Sequence, residues 1–418
     1  MRVKNFRVFY TENDSIISLG KDDKRAIIEK RDNRSIKEFN YFESMKGFKA
    51  NRESLIEFRD NFISWIAELK NEGIEYTNYF NHFYATYFTF LRYSTNNMKK
   101  INKLGFDAIP NINFIEYKYY EKCYNASLMS FDEQYLNKQI QCYSYDFSAY
   151  YPHILAKFDF QMPIKEGKQH KILDFKKQLK YGIYHVKITC QDKNFKKIFA
   201  FSKNDYYTHY SINFALKHKK QYNITLEIQG IDQQYNCIVY EKEDLVYTRE
   251  IFLEWFEKMI EIKKKYPTNK LVKNMMSSIW GCLIQFERVI IKTDEDLEDY
   301  DASDILTDEK TEYKILEIDP ILQNNEIIYN YKLIKSDCAY KRPFRIKPFL
   351  TAYARRQIAE FVLQENLIND LVRVQTDSVT LTKEYDFTHL PYYPKLDLTH
   401  TGSLTWLSTN SYSVATDD

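Results

Sequence analysis

The sequence predicts a mixed α+β protein with more than one subdomain. Its 418 residues exceed the length of an ordinary domain, and 44% of them are hydrophobic, which is enough for a sizeable buried core. β-Branched residues alternate with polar ones across 372–381, which predicts a β-hairpin, whereas 251–264 has the apolar spacing of an amphipathic helix. Strands and long helices are therefore expected in the same chain.

The N-terminal part is predicted to be mostly helical after a short β-like start at 1–50. Apolar residues at helical spacing predict helix across 52–95. They are Ile56, Phe58, Phe62, Ile66 and Leu69. The nearly continuous aromatic stretch at 79–91 predicts a buried helix, with a stacking platform for bases as the alternative.

Opposite charges are concentrated in two separate parts of the chain. Residues 161–220 contain 14 Lys, no Arg and 4 acidic residues, whereas 291–330 contain 3 Lys and 13 acidic residues. The net charge of +2 is therefore a cancellation and does not by itself indicate a nucleic-acid partner. The lysine-rich segment suits a phosphate backbone, with a solvated surface as the alternative, and 293–312 is predicted to be an exposed acidic loop.

The cysteines and the N-terminus exclude several classes of protein. None of the 6 cysteines forms a C-x-x-C pair, which argues against a zinc module or a disulfide framework and fits a reducing compartment. The N-terminus lacks the pattern of a signal peptide, and no apolar run is long enough to span a membrane. We therefore expect a cytoplasmic, intracellular protein without a membrane partner.

The first candidate site residue is Asp146. A β-like run at 140–147 leads into an apolar segment at 149–158, so Asp146 falls at the end of a predicted strand. At that place a carboxylate can face a cleft while its neighbours are packed. Taken alone, a turn or capping role is the alternative explanation for this residue.

The second candidate feature is one face of a helix that begins after Pro267. Thr268 or Asn269 is a suitable N-cap for it. Spacings of three or four residues align several side chains on this face. They are Lys270, Lys273, Ser277, Trp280 and Gly281. Cations, a hydroxyl and a flat aromatic ring suit a nucleotide, and an ordinary amphipathic helix with its lysines in water is the alternative.

The third candidate feature is the carboxylate of Asp377 at the tip of the predicted hairpin. The tip reads Gln-Thr-Asp-Ser at 375–378, between two runs of β-branched residues. Because Asp and Ser are common in turns, a surface hairpin without function is the alternative for this segment alone.

Together, the three motifs resemble motifs A, B and C of the family B DNA polymerases. Asp146 begins D-F-S-A-Y-Y-P, Lys273 begins K-N-M-M-S-S-I-W-G, and Asp377 lies in Q-T-D-S. The segment 347–355, which ends in T-A-Y-A-R, resembles the family's helix before motif C, and 181–186 resembles the G-x-Y-x-V strand of the protein-primed branch. The resemblance covers roughly 120–410 and implies a right-hand polymerase fold with an antiparallel palm sheet, helical fingers and a reduced thumb.

The resemblance implies a DNA-directed DNA polymerase that adds deoxynucleotides to a primer hydroxyl. Such chemistry uses two Mg²⁺ ions, or Mn²⁺ in their place, which activate the hydroxyl and stabilise the leaving pyrophosphate. Asp146 and Asp377 would be the catalytic, metal-binding carboxylates, and the carbonyl of Phe147 would be a further metal ligand.

The same resemblance implies the nucleotide-binding residues. Lys273 would hold the triphosphate, and Tyr151 would lie under the sugar as the steric gate against a 2′-hydroxyl. Ser277, Trp280 and Gly281 match positions that face the nucleotide, and Lys270 is a further phosphate candidate placed by helical spacing.

The sequence also departs from the family pattern. Gln375 replaces the first Asp of D-T-D-S, Ser277 replaces an Asn, and Trp280 replaces a Tyr. Residues 1–140 lack the D-x-E strand of a 3′–5′ exonuclease, so we expect no proofreading. Few residues follow the hairpin, so we expect a reduced thumb.

The predicted organisation has five parts: an N-terminal mixed domain at 1–120, with a degenerate exonuclease as one candidate; palm at 121–249 with the lysine-rich insertion; fingers at 250–283; palm at 284–384 with the acidic insertion and the motif C hairpin; and a vestigial thumb at 385–418.

The expected partners are primer–template DNA and deoxynucleoside triphosphates, with a protein primer or an accessory subunit as further candidates. A phage, virus or mobile element is the expected source. The alternative function is that of a degenerate polymerase homologue acting as a scaffold that binds nucleic acid or a partner.

Overall fold

A computed structural model describes the following residues: 7–12, 15–20, 25–28, 52–76, 82–124, 126–175, 178–286, 289–293, 314–323, 326–334, 338–390, 394–408 and 411–414. The chain divides into two compact units. The first unit consists of Met1–Ser94 and Glu254–Cys282, and the second of Thr95–Leu253 and Leu283–Asp418.

The α-helices of the described residues, in chain order, are α1 (Arg52–Asn71), α2 (His82–Asn102), α3 (Phe114–Lys122), α4 (Tyr150–Lys157), α5 (Lys193–Ile198), α6 (His209–Lys217), α7 (Lys219–Tyr222), α8 (Arg249–Lys265), α9 (Lys270–Leu283) and α10 (Lys347–Gln364). Short 3₁₀ turns lie at Gly105–Ala108, Glu133–Tyr135, Lys242–Asp244 and Leu367–Asn369.

The strands of the described residues are β1 (Arg7–Glu12), β2 (Ser15–Gly20), β3 (Arg25–Ile28), β4 (Met129–Phe131), β5 (Gln139–Phe147), β6 (Gln161–Pro163), β7 (Lys168–His170), β8 (Tyr181–Thr189), β9 (Tyr206–Thr208), β10 (Thr225–Ile228), β11 (Cys237–Tyr240), β12 (Leu245–Tyr247), β13 (Val289–Thr293), β14 (Lys314–Gln323), β15 (Glu326–Ile334), β16 (Leu371–Gln375), β17 (Ser378–Leu381), β18 (Leu396–Ser408) and β19 (Ser411–Val414). All the strand pairs between them are antiparallel.

In the first unit, the N-terminal helices share a core with the helices that follow residue 253. The Phe90 ring of α2 meets the Trp255 ring of α8 edge-on, with centroids 6.4 Å apart, and both are fully buried. Met275 and Ile279 of α9 are also fully buried. The apolar stripes of these helices therefore form one core, and such packing supplies most of the stability of helices in proteins.

The second unit contains a six-stranded sheet in the order β19-β18-β5-β17-β16-β4. Helix α10 covers one face of it: the Phe361 ring lies 5.2 Å from the Phe147 ring of β5. Helix α4 is joined to α10 because the Tyr150 hydroxyl donates to the Ala354 carbonyl at 2.8 Å. The chain passes from β5 to α4 through Ala149, whose φ of 51° is in the left-handed region. These contacts fix the end of β5, where Asp146 lies.

A second sheet in the same unit has the order β10-β8-β11-β7, with β9 paired to β8. Strands β8 and β11 approach closely at Gly182, where an added Cβ would lie 2.3 Å from the Ile238 carbonyl oxygen. This contact explains why the strand at 181–186 has a glycine. The other described strands form two three-stranded sheets, β1-β2-β3 and β13-β15-β14, and the β12-β6 pair.

The structure confirms the predicted α+β class and several predicted elements. The run at 140–147 is β5, the hairpin is β16 and β17, the helix at 251–264 is α8, and 347–355 begins α10. The helical region predicted at 52–95 consists of two helices, α1 and α2. The second includes residues 82–91 of the aromatic stretch that was predicted to be a buried helix, and it continues to Asn102. In the described part of the chain, no helix is both long and apolar enough to cross a bilayer.

The acidic loop and the C-terminal segment are the two remaining predicted segments. Most of the acidic loop at 293–312 lies outside the described residues. The C-terminal segment predicted as a vestigial thumb supplies strands β18 and β19 of the six-stranded sheet, so it lies directly beside β5. The division into palm, fingers and thumb at the predicted boundaries stays a prediction.

Candidate active site

The two predicted carboxylates lie on neighbouring strands of the six-stranded sheet. Asp146 of β5 is paired directly with Ser378 of β17, the residue after Asp377. The Phe147 amide donates to the Asp377 carbonyl at 2.8 Å, so the two backbones remain joined at the end of the ladder. The structure therefore brings the backbones of Asp146, Phe147 and Asp377 together at one end of the sheet. The Phe147 side chain is buried on the α10 side.

The turn that carries Asp377 is held from several sides. Thr376 has a φ of 59°, an unfavourable value for a β-branched residue that costs about 1–2 kcal/mol. Its amide donates to the Leu128 carbonyl at 2.9 Å, and its hydroxyl lies 3.0 Å from that of Ser127. The Ser378 hydroxyl donates to the Gln375 carbonyl at 3.2 Å. The surrounding bonds thus hold the tip in a single, strained conformation.

A third carboxylate, Asp397, lies beside the pair and was not predicted from the sequence. It is directly opposite Asp146 across β18 and β5, and directly opposite residues project from the same face of a sheet. Its carboxylate accepts the Ser148 hydroxyl at 2.8 Å and pairs with Lys395 at 2.5 Å. The local signal was weak, because the Leu-Asp-Leu alternation at 396–398 predicts a strand without indicating its partner.

Gln375 lies in the same cross-strand row as Asp146, because it is paired with Ser378. Its side-chain oxygen accepts a hydrogen bond from the Arg373 guanidinium, which also lies 5.2 Å from the centre of the Trp406 ring. Gln375 therefore adds no negative charge to the row, and its side-chain oxygen is bound by Arg373. Among the described residues, no group of three His, Cys, Asp or Glu side chains is arranged to hold a metal.

Tyr151, the predicted steric gate, is on the first turn of α4. Burial raises the pKa of its hydroxyl to about 12. The Arg355 guanidinium acts to lower this pKa and the Asp377 carboxylate acts to raise it. Arg355 donates to the carbonyls of Ala126 and Tyr124, the segment that leads to Leu128. Tyr151 thus stays neutral within the electrostatic reach of Asp377.

The other predicted residues lie on α9, in the first unit. Asn269 is the N-cap, because its side-chain oxygen accepts the Leu271 amide at 3.0 Å and the Val272 amide at 3.3 Å. The predicted face is confirmed as the more accessible side of the helix: Lys270, Lys273 and Ser277 are exposed, and Trp280 and Gly281 are half-buried.

The structure shows what surrounds two residues of this face, Lys270 and Gly281, which helical spacing alone does not indicate. The Lys270 ammonium lies 5.9 Å from the centre of the Trp65 ring, within the range of a cation–π contact. A Cβ added to Gly281 would meet only the Phe83 ring, at an ordinary 3.7 Å, so packing inside the chain does not require glycine there.

Comparisons with known proteins show similarity at the level of the fold. No protein-family model matches the sequence, and no curated protein matches it. Among solved structures, a crystal form of phi29 DNA polymerase matches with a TM-score of 0.52 and 13% identity, over 88% of this chain and 61% of that one. Phi29 DNA polymerase complexed with primer-template DNA and incoming nucleotide substrates matches with a TM-score of 0.52 and 14% identity, over 92% and 62%.

The post-translocation binary complex of the same enzyme with primer-template DNA matches with a TM-score of 0.53 and 13% identity, over 83% of this chain and 56% of that chain. The fold is therefore polymerase-like. The chain spans less than two thirds of the length of the polymerase structures that it matches.

Proposed function

We propose that the chain is a template-directed DNA polymerase that extends a primer hydroxyl by a two-metal mechanism without proofreading. The observation that carries this proposal is the junction of β5 and β17, where Asp146 and Asp377 lie at adjoining strand ends of a polymerase-like fold. Two carboxylates on joined backbones at the ends of central strands suit divalent cations, because Mg²⁺ prefers hard oxygen ligands and retains several waters.

In this proposal, Asp146 and Asp377 hold two Mg²⁺ or Mn²⁺ ions, and the Phe147 carbonyl is an additional ligand. Bound there, the ions would lower the pKa of the attacking hydroxyl and stabilise the charge on the leaving pyrophosphate. The strained turn at Thr376 and the hydrogen bond of the Phe147 amide hold the backbones of Asp146 and Asp377 next to each other. Asp397 is a candidate to tune their charge from the opposite strand.

The exposed face of α9 is the proposed binding surface for the nucleotide. Both lysines are exposed, and Lys273 is the primary candidate for the triphosphate because the Lys270 ammonium is near the Trp65 ring. Ser277, Trp280 and Gly281 are proposed to contact the base or the sugar. The Tyr151 ring is proposed to exclude ribonucleotides sterically, and its burial helps to hold the ring in place.

The lysine-rich segment is the proposed contact for the DNA backbone, and for a priming protein or an accessory subunit. Part of its charge is already neutralised, because Lys165, Lys180, Lys197 and Lys217 pair with acidic side chains. The remaining lysines would still give an affinity that falls with salt. A protein primer is motivated only by the similarity to the protein-primed branch at 181–186.

The alternative is a scaffold that binds DNA but does not extend it. The observation that favours this alternative is Gln375, a neutral amide bound to Arg373 in the row that contains Asp146. Primer extension distinguishes the two functions, because only a polymerase extends a primer and needs both carboxylates to do so.

Primer extension with Asp146→Asn and Asp377→Asn variants tests the proposal. The purified chain is given a primed template, Mg²⁺ or Mn²⁺, and all four deoxynucleotides. Asp232→Asn, an exposed position in the same unit, is the matched carboxylate-to-amide control. We expect extension by the wild type and the control and a loss of about 10³-fold or more in either site variant. A wild-type chain that extends no template with either metal would contradict the proposal.

A further inference from the structure

The first unit joins the helix pair α1–α2 to the helix pair α8–α9 by polar contacts between side chains far apart in sequence. The Glu72 carboxylate pairs with Lys258 at 3.0 Å and with Lys265 at 2.7 Å. The Asn269 side-chain amide donates to the Trp65 carbonyl at 3.0 Å and to Glu68 at 2.8 Å. The beginning of α9 is therefore attached to α1 through its own N-cap residue.

A second attachment joins His82, the first residue of α2, to Ser278, which lies about two turns after the beginning of α9. Its Nε2 atom lies 2.8 Å from the Ser278 hydroxyl, and its Nδ1 atom lies 3.0 Å from the Tyr76 hydroxyl. The Ser278 hydroxyl donates to the Asn274 carbonyl at 2.7 Å. The Thr86 hydroxyl donates to the His82 carbonyl at 3.0 Å and lies 3.4 Å from the Ser278 hydroxyl.

The hydrogen-bond network assigns the proton of this imidazole. Because Ser278 donates its proton to Asn274, it accepts from Nε2–H, and Nδ1 then accepts from the Tyr76 hydroxyl. Only 9% of His82 is exposed. Burial lowers the pKa of His82, although its hydrogen bond to the Asn274 backbone raises it, so the neutral form is favoured. Each ring nitrogen thus has a partner in the neutral ring.

The contacted positions on α9 adjoin the exposed face proposed for the nucleotide. Asn274 and Ser278 follow Lys273 and Ser277 directly in sequence, and a helix rotates by about 100° per residue. The contact of His82 with Ser278 therefore restrains the rotation of the helix about its axis and, with it, the direction of the exposed face. Neither His82 nor Ser278 belongs to that exposed face itself.

We propose that the N-terminal helices brace α9 and that His82, acting through Ser278, is a positioning residue for the face that carries Lys273 and Ser277. The use of this face for a nucleotide rests on the proposed function, whereas the brace itself does not. The N-terminal segment then has a role in the reaction although it carries none of the proposed metal ligands.

Two measurements on the full chain test this proposal. Hydrogen exchange of peptides from 270–283, without any substrate, reports how firmly α9 is held. Primer extension at varied deoxynucleotide concentration separates KM from kcat. The variants are His82→Leu, which removes both ring contacts, Ser278→Ala, and His82→Gln, whose amide nitrogen can replace Nε2–H. Ser94→Ala is the matched control, because it removes a fully buried hydroxyl of α2 that has no hydrogen-bond partner among the described residues.

We expect exchange in 270–283 to be at least about fivefold faster in His82→Leu and Ser278→Ala, and close to wild type in His82→Gln and Ser94→Ala. KM for the nucleotide should rise about tenfold in the first two variants, with kcat changed by less than about threefold.

Unchanged exchange in His82→Leu would overturn the brace, whatever the extension assay shows. Faster exchange with an unchanged KM would overturn the positioning role. A wild-type chain that does not extend a primer would contradict the proposed function, and the exchange result would still decide whether the brace exists.

Discussion

The two compact units hold their candidate residues by different means. In the second unit, Asp146 and Asp377 are fixed by a backbone ladder, in which the register of β5 and β17 determines their separation. In the first unit, the direction of α9 depends on side-chain bonds to residues of α1 and α2. A ladder of backbone hydrogen bonds persists through many side-chain substitutions, whereas a hydrogen bond between two side chains is lost when either one is replaced. Substitutions outside the two sites should therefore affect nucleotide binding more readily than metal binding.

The largest expected loss of stability is at the buried ion pair of Arg345 and Glu116 in the second unit. Both side chains are fully buried, and the guanidinium donates to both carboxylate oxygens at 2.8 and 2.9 Å. Arg345→Met leaves a buried carboxylate without its cation and should cost about 3–5 kcal/mol in the free energy of unfolding. Urea unfolding measures this cost.

Lys180→Met is the control for that substitution, because it breaks the exposed pair with Glu241. Its free energy of unfolding should stay close to that of the wild type, because solvent screens an exposed ion pair. Equal losses in the two variants would show that the network around Glu116 does not hold the second unit together.

The next largest effect is expected on nucleotide binding, where Lys273 and Lys270 should differ. Lys273→Ala should raise KM for deoxynucleotides by roughly 10–100-fold, since it removes a charged contact to phosphate. Lys270→Ala should raise it by less than about threefold, because this ammonium is near the Trp65 ring. Steady-state extension measures both, and a larger effect at Lys270 would contradict the assigned roles.

A smaller effect is expected at Asp397 in the sheet. Asp397→Asn should increase the Mg²⁺ concentration for half-maximal extension by about fivefold, since it removes a negative charge opposite Asp146. Its pairing with Lys395 and Ser148 limits the effect. If Asp397→Asn instead lost as much extension activity as Asp146→Asn, Asp397 would be assigned as a metal ligand.

The smallest effect is expected at Glu72, which links α1 to α8. Hydrogen bonds to Lys265 and Lys258 lower the pKa of this carboxyl to about 2 in the folded chain. Its contribution is therefore complete above the unfolded pKa of about 4.3 and is lost as the pH falls towards 2. Glu72→Gln should cost about 1 kcal/mol at pH 6, because solvent screens the pair, and less at pH 3. Thermal unfolding at both pH values checks this, and a cost that grows at pH 3 would contradict it.

The local parts of both units could be predicted from the sequence. Periodicity predicted β5 and α8, turn residues predicted the hairpin at Asp377, and Asn269 was one of two predicted caps. Each of these depends on neighbours within a few residues, which is the range that a sequence pattern reports.

The long-range parts could not be predicted. His82 and Ser278 are 196 residues apart, and nothing in the aromatic stretch at 79–91 distinguishes a histidine that binds a distant helix. The pairing of Asp397 with Asp146 was missed for the same reason, since a strand's sequence does not name its partner. For this reason the sequence did not indicate that the segment predicted as a thumb, 385–418, supplies two strands of the six-stranded sheet.

The central claim is that Asp146 and Asp377 form one site for two metal ions. A Mn²⁺ titration followed by electron paramagnetic resonance, with a non-hydrolysable deoxynucleotide present, tests it most directly. We predict about two bound Mn²⁺ per wild-type chain and per Asp232→Asn chain, and fewer in Asp146→Asn or Asp377→Asn. Equal Mn²⁺ binding in all four proteins would contradict the claim.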